Sequence, residues 1–333
     1  MEKRGKLKMF AKIIGTGSYA PDLILDNFKM SEMVETSDEW IVERTGIRKR
    51  HICSEMENYQ MGVIAAKKAL ENAGLDAKDI DMIIATTVTP DYVTPSTACC
   101  IQGEIGAVNA FAFDMNAGCT GFVYALDMAD AFIKTGKAKN VLIVSSEILS
   151  RITDYTDRTT CVLFGDGAGA AVLTADESTG ILGSYLAAEG EKRDVLIARG
   201  LRNNSVFTDD CKDDGLKGNF LKMDGKEVYK FAVNALPKAF DMALENAKVK
   251  SSDIKYLFAH QANERILKTV IKKYGFDEKT VPMNISEYGN TSSASIPILF
   301  DEYNKNGIIK KGDIIAFSGF GSGLTYGAVI VKM

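Results

Sequence analysis

Short apolar runs alternate along this chain with longer segments whose apolar positions recur every three or four residues. DMIIATT and NVLIVSS are apolar through most of their length, the pattern of strands buried on both faces. Between them, Phe122, Leu126, Ala129 and Ile133 fall on one helical face, and Gly136 is placed to stop that helix. Helix and strand keep alternating in this way, which predicts an α/β architecture with mixed sheets. Pro237 interrupts the otherwise helical AVNALPKAFDMALENA and predicts a kink or a late helix start.

The pattern occurs twice. ALENAGLDAKDIDMIIATT, from Ala69, is similar to ALENAKVKSSDIKYLFAHQ, from Ala243, a displacement of 174 positions. The same displacement carries Thr86 onto His260, Asn116 onto Asn290 and Cys119 onto Ser293. NVLIVSS is similar to GDIIAFS, FGDGAGAAVL to FGSGLTYGAVI, and IIGTGSY to ILGSYLA. The chain therefore reads as one unit of roughly 170 residues duplicated, with halves over 10–176 and 177–333, rather than as a short-period array. Two such halves are expected to pack about a pseudo-twofold axis. Thr16–Glu57 and Glu189–Phe220 are expected to be covering loops, the second rich in Gly, Asn and Asp and mobile. Ligands of open α/β sheets gather at the carboxyl ends of strands. The axis would bring Cys119 of the first half against His260 and Asn290 of the second.

Composition narrows the function. The 333 residues are 46 % hydrophobic and 25 % charged, enough for a substantial core. A net charge of −4 gives no global surface for nucleic acid. No apolar run approaches the roughly eighteen residues of a membrane span. The basic start MEKRGKLKMF runs into AKIIGTGSYAP, too soon broken for a secretory signal, so a soluble cytoplasmic protein is expected. Six cysteines without a CxxC pair, beside two histidines, predict neither a zinc site nor a disulfide scaffold. Most of them are then small buried hydrophobes.

Cys119, in FDMNAGCTGF, stands apart because it falls where a new helix begins. A thiol there meets the positive end of the helix dipole and unpaired N–H groups, which favours the nucleophilic thiolate. Gly118, Thr120 and Gly121 leave room for a reacting carbonyl, and the Cys119 N–H can donate to an oxyanion. A second donor can come from the turn GFGSGLTYG, whose spacing equally fits a plain hairpin. Taken singly, His260 at a strand end reads as structural, and Asn290 reads as a helix initiator with Pro297 in the first turn.

Taken together, NAGCTGF, AHQAN, YGNTSSASIP and GFGSGLTYG, in that order, resemble the motifs of ketoacyl-acyl-carrier-protein synthase III, the initiating condensing enzyme of type II fatty-acid synthesis. TSDEWIVERTGIRKRH and FGDGAGAAVL resemble it too, so the likeness covers nearly the whole chain. The resemblance implies a thiolase-like fold, layered α-β-α-β-α, with a mixed five-stranded sheet in each half, and a homodimer. It implies that an acyl-CoA acylates Cys119, and that malonyl-acyl-carrier protein then loses carbon dioxide and condenses with the acyl group. His260 and Asn290 would stabilise the enolate, and the N–H groups of Cys119 and Ser322 would form the oxyanion hole. The family usually has Gly at the position of Ser322.

The same resemblance implies that Trp40 and Arg158 hold the adenine of coenzyme A, that Thr36 and Arg44 meet its pantetheine–phosphate region, and that Gly225 and Asn263 line the pantetheine tunnel. Thr94 and Phe320 would belong to the acyl pocket. Thr94 stands where some members carry a bulky Phe that reaches across the dimer, which implies room for branched or longer primers than acetyl. No cofactor is implied, because the coenzyme A thioester is a substrate. The helix after His260 carries Arg265, Lys268, Lys272 and Lys273 opposite an apolar face of Leu267, Val270, Ile271 and Tyr274, with Glu264 beside them. That stripe suits an acidic carrier protein, or is solvated surface.

Rival readings fit less well. The order Cys, His, Asn also occurs in papain-like proteases, but the residues around Cys119 differ from theirs. GTGSYA fits a dinucleotide-binding pattern, but Pro21 breaks the helix it needs. A thiolase would carry a second cysteine in GFGSGLTYG, and elongating synthases a second histidine. The remaining alternatives are a related synthase of secondary metabolism with a different primer, and an inactive acyl-CoA-binding homologue.

Overall fold

The computed structural model describes residues 9–200 and 219–333. A five-stranded mixed sheet runs, in spatial order, Phe10–Tyr19, Gly167–Asp176, Asn140–Glu147, Met82–Thr86 and Phe111–Met115. A second sheet runs Ile254–Ala259, Ile314–Gly321, Thr325–Lys332 and Ile181–Ala188. The parallel pairs are Met82–Thr86 with each of its neighbours, and Ile254–Ala259 with Ile314–Gly321; the rest are antiparallel. The chain passes from the first sheet to the second between Asp176 and Ile181.

Two helices form the middle layer, Gly121–Lys134 and Ser295–Lys305. Phe122, Leu126, Ala129 and Ile133 are all buried there, in one cluster with Met82 and Val141 of the first sheet and Phe258 and Phe317 of the second. The Phe122 and Phe317 rings meet edge-to-face at 5.7 Å across that layer. Asn58–Ala73 and Thr97–Ile105 cover the outside of the first sheet, and Gly225–Ala247 and Glu264–Tyr274 the outside of the second. The result is the expected α-β-α-β-α stack.

Three expectations need correction. The second sheet has four strands among the described residues, not five. Where the repeat would place the fifth, Ile285–Tyr288 turns as a short helix, and one bridge between Phe164 and Asn290 remains. Asn284 and Tyr288, one helical turn apart, both hydrogen-bond Glu302, which a strand there would not set up in the same way. Secondly, Thr16–Glu57 is not a loop. Leu23–Asp26 pairs with Lys49–Ile52, and helices Asn27–Met33 and Asp38–Thr45 lie between them. Asp26 and Ser37 cap those helices, and Gly46, at φ 81°, closes the second. Thirdly, the helix Gly225–Ala247 starts under an Asp224 cap well before Pro237, so Pro237 does not delay its start. In the other covering segment, Leu196–Ile197 pairs with Lys222–Met223. Residues 201–218, on which the expected mobility of that segment falls, lie outside the described residues.

Candidate active site

The strand Phe111–Met115 ends in Asn116, Ala117 and a single 3-10 turn, Gly118–Thr120, that opens into the helix from Gly121. Cys119 sits in that turn, 9 % exposed, at one end of a cavity of about 250 Å³. Gly118 has φ 56°, and a Cβ there would lie 2.8 Å from the Ser322 backbone. A Cβ on Gly321 would lie 2.5 Å from the Cys119 nitrogen. The turn after Ile314–Gly321 is thus a hairpin, and its glycines also let its backbone press against that of Cys119. Thr325 joins the two turns, its Oγ1 lying 2.8 Å from the Ala117 carbonyl and 3.1 Å from that of Ser322.

His260 follows the strand Ile254–Ala259, is 1 % exposed, and lines the same cavity. Its Nδ1 lies 2.8 Å from Ser295 Oγ, which already accepts from the Gln261 N–H. The Ser295 hydroxyl is free to donate to Nδ1, the arrangement in which Nε2 carries the imidazole proton and faces no protein partner. Burial pulls the His260 pKa down to about 3, so the ring is neutral. Phe320 holds it edge-on at 5.4 Å.

Asn290 also lines the cavity, 7 % exposed. It does not cap the following helix, which starts only at Ser295 with Pro297 in its first turn. Instead its Oδ1 accepts from the Ser292 N–H at 2.8 Å, which leaves the amide Nδ2 to donate elsewhere. Its backbone is held to Leu163 and Gly165.

Burial changes the reading of the thiol. The position beside the helix start favours thiolate, but desolvation dominates and pushes Cys119 up to about 12. A negative charge on Glu147 adds to the rise, and the nearby Ser292 hydroxyl and the Cys119 N–H oppose it. The resting site pairs a neutral thiol with a neutral imidazole.

A second cavity, lined by Trp40, Arg44, Gly225, Tyr229, Asn263 and Arg265 among others, shares Leu163, Gly225, Tyr229 and Asn263 with the first. The guanidinium carbons of Arg44 and Arg158 stand 4.7 and 5.1 Å from the Trp40 ring centre. Arg158 also donates to the Glu35 carbonyl. Asn263 caps the helix Glu264–Tyr274 and donates to the Arg44 carbonyl, so it ties tunnel wall to mouth. Thr36 is not among the residues lining either cavity, although its Oγ1 is buried without a partner. Thr94 is exposed and lies outside the cavity of its own chain. On the basic stripe, Lys268 pairs with Glu264 at 2.7 Å and Lys273 approaches Asp241 at 3.9 Å. Among the described residues Arg265 and Lys272 have no carboxylate partner, and these two keep the stripe positive.

The motifs did not reveal the apolar wall of Leu149, Ile152, Phe164, Leu196, Leu221 and Met223, nor Ser292. Phe164 and Ser292 lie inside quoted motifs but were given no role there, and the others lie in short elements or connections whose local pattern carries no chemistry. Among the described residues no group of His, Cys, Asp and Glu is placed to hold a metal.

Family models support one assignment for both halves. The model of 3-oxoacyl-[acyl-carrier-protein] synthase III matches residues 113–190, and that of its C-terminal part matches 244–333. The beta-ketoacyl-[acyl-carrier-protein] synthase III of Clostridium perfringens (strain SM101) is 47 % identical over 324 residues, covering 97 % of this chain and 99 % of that one. The solved structure of 3-oxoacyl-[acyl-carrier-protein] synthase III from Aquifex aeolicus is 44 % identical, with a TM-score of 0.90 over 97 % of this chain and all of that one. The priming beta-ketosynthase of the R1128 polyketide pathway is 35 % identical, with a TM-score of 0.90 over 100 % of this chain and 99 % of that one.

Proposed function

This chain belongs to the 3-oxoacyl-[acyl-carrier-protein] synthase III family, the condensing acyltransferases that initiate fatty-acid synthesis, and from that premise we propose that Cys119, His260 and Asn290 carry its reaction. Cys119 Sγ attacks the carbonyl of an acyl-CoA. The carbon–sulfur bond to coenzyme A breaks, and the thiol proton passes to the departing sulfur. The N–H groups of Cys119 and Ser322 take the charge that develops on the carbonyl oxygen. Malonyl-acyl-carrier protein then enters by the same tunnel. His260 Nε2–H and Asn290 Nδ2–H donate to its thioester oxygen, so the electrons released with carbon dioxide are held as an enolate. The enolate carbon attacks the acyl group on Cys119, the bond to Sγ breaks, and the thiolate released takes a proton from solvent. The product is a 3-ketoacyl-acyl-carrier protein.

One observation carries this reading. In one cavity with Cys119, His260 and Asn290 each spend one polar atom on the protein and keep one N–H donor unspent. Decarboxylation toward an enolate needs donors, not a base, and a neutral imidazole supplies one.

The mouth at Trp40, with Arg44 and Arg158, takes the adenine and phosphates of coenzyme A, Gly225 and Asn263 guide the pantetheine arm, and Thr36, outside both cavities, meets the ligand only at the rim. Phe320 borders the acyl end. Coenzyme A enters as a substrate, and no cofactor is required. Arg265 and Lys272, with Lys268 and Lys273 beside them, receive the acidic carrier protein. The halves 10–176 and 177–333 are the two duplicated units. The protein works as a cytoplasmic homodimer joined along the free edge of Phe111–Met115, where Phe111 is 46 % and the nearby Val108 69 % exposed. No described helix is long and apolar enough to cross a membrane.

Intact mass after mixing with a panel of acyl-CoAs tests the reaction. A gain of one acyl group, absent in Cys119→Ala, is expected. No gain with any acyl-CoA would sink the priming reaction.

A further inference from the structure

Behind Cys119 lies a buried carboxylate that the reaction above does not use. Glu147 ends the strand Asn140–Glu147 and is 0 % exposed. Its Oε2 accepts from the Val88 N–H at 2.9 Å, the Thr89 hydroxyl at 3.1 Å and the Thr87 hydroxyl at 3.2 Å. The Thr87 direction is forced, and the Thr89 hydroxyl is free to donate in the same way. Thr87 Oγ1 already accepts from Asn58 and from the Thr89 N–H, and Thr89 Oγ1 from the Ile148 N–H. Two fixed donors, the Val88 N–H and the Thr87 hydroxyl, and the Thr89 hydroxyl beside them converge on one oxygen, surroundings suited to an anion. No cation pairs with Glu147 among the described residues.

The other oxygen, Oε1, accepts from Ser293 Oγ at 2.7 Å. Ser293 is the repeat equivalent of Cys119 and lies three residues after Asn290. Its Oγ is also 3.2 Å from the Thr86 carbonyl. A Cβ on Gly121, two residues after Cys119, would lie 2.8 Å from the Thr86 Cβ and 3.2 Å from the Ser293 Cβ. One carboxylate thus joins the end of its own strand, the loop 87–89 and the turn that presents Asn290, directly behind the start of the Cys119 helix.

We propose that Glu147 is a positioning residue: its carboxylate braces the Asn290 turn through Ser293, and its charge adds to the burial that keeps the Cys119 sulfur a thiol until a thioester occupies the cavity. Burial raises the Glu147 pKa, and its hydrogen-bond donors, led by Ser293, oppose the rise. Desolvation is the main cause that raises the Cys119 pKa, and the Glu147 charge, placed behind the Gly121 end of the turn through Ser293, adds to it. The proposal rests on the reading of Cys119 as the acyl acceptor.

Glu147→Gln separates charge from brace. The amide oxygen can keep the three donors, while the amide nitrogen donates to Ser293, whose hydroxyl turns to the Thr86 carbonyl. Alkylation of Cys119 by iodoacetamide at a fixed, mildly alkaline pH is expected to quicken at least about threefold in this variant. Ser293→Ala keeps the charge and loses one arm of the brace. Its alkylation rate is expected to match the wild type, while its malonyl-thioester decarboxylation falls about tenfold in kcat with KM little changed. Unchanged alkylation in Glu147→Gln, or wild-type decarboxylation in Ser293→Ala, would overturn the proposal. Alkylation needs no acyl donor. A wild-type chain that decarboxylates nothing would therefore count against the proposed reaction and leave the charge effect standing.

Discussion

Ser292 adopts φ 50° and Gly118, its equivalent 174 positions earlier, adopts φ 56°. Each opens a 3-10 turn that leads into a central helix, and each donates its N–H to the Asn two residues before it, Asn290 or Asn116. The duplicated turn therefore serves two purposes. In one half it presents a sulfur, and in the other an amide.

The two left-handed positions differ in what surrounds them. Gly118 faces the Ser322 backbone, and no flexible side chain there can yield. Gly118→Ala is expected to cost more than about 3 kcal/mol, from the strained φ together with the clash. Ser292→Gly relieves strain in the folded state but frees the unfolded chain, so its net effect is expected to stay within about 1 kcal/mol. Urea denaturation of both variants measures the difference. Equal costs would show that the two turns are not distinguished by packing.

In the proposed reaction His260 and Asn290 act in the second half-reaction, not the first. His260→Ala and Asn290→Ala are expected to lose about a hundred- to a thousandfold in malonyl-thioester decarboxylation while still taking up an acyl group at Cys119. Rapid-quench acylation beside carbon dioxide release reads the two steps separately. Equal loss in both would mean that these residues shape the cavity rather than stabilise an enolate.

The His260 titration also bears on stability. Its folded pKa of about 3 lies below the ordinary value of 6.5. Between those values the unfolded chain binds more protons, so stability must fall as pH drops from about 6.5 toward 3. The contribution is fully present above that window. His260→Gln, which cannot titrate, is expected to flatten the pH dependence of urea-unfolding free energy there. An unchanged slope would show that other groups set it.

How much of this was legible in the residues alone varies with the kind of contact. Repeat and periodicity predicted the Phe122 helix and the meeting of Cys119, His260 and Asn290 in one cavity, because those follow from short-range pattern and one displacement along the chain. The Leu23–Asp26 and Lys49–Ile52 ladder was hidden, because its strands are four residues each and one of them is KRHI, with a charged Arg50 that is fully buried. Arg50 is tolerated there only because Asn27 and the Val162 carbonyl accept from it, partners far away in sequence. The thiol's protonation was misjudged for a related reason. Position along a helix is written in sequence, and depth of burial is not.

Ser322 adds a contact that a glycine at its position would lack. Its Oγ donates to the Leu196 carbonyl at 2.6 Å, tying the proposed oxyanion turn to the ladder of Leu196–Ile197 and Lys222–Met223 that walls the cavity. Ser322→Gly keeps the backbone donor and loses the tie, worth about 1 kcal/mol. KM for acyl-CoA is expected to rise severalfold with kcat nearly unchanged. A large fall in kcat would mean that the side chain helps to aim the N–H itself.

Thr94 decides which primer the cavity admits if a second copy of the chain places it there. Its own chain leaves it exposed beside Val93, which is 73 % exposed, and Tyr92, 47 % exposed. A small residue at the end of an apolar pocket leaves volume that a Phe would fill, and each methylene buried there is worth about 0.8 kcal/mol. Acylation by isobutyryl- or hexanoyl-CoA is therefore expected to match or exceed that by acetyl-CoA. Thr94→Phe is expected to reverse the order while leaving acetyl-CoA nearly unaffected. A sharp preference for acetyl-CoA in the wild type, or no change of order in the variant, would place the end of the pocket elsewhere, at Leu149, Ile152 or Phe164 of the same chain.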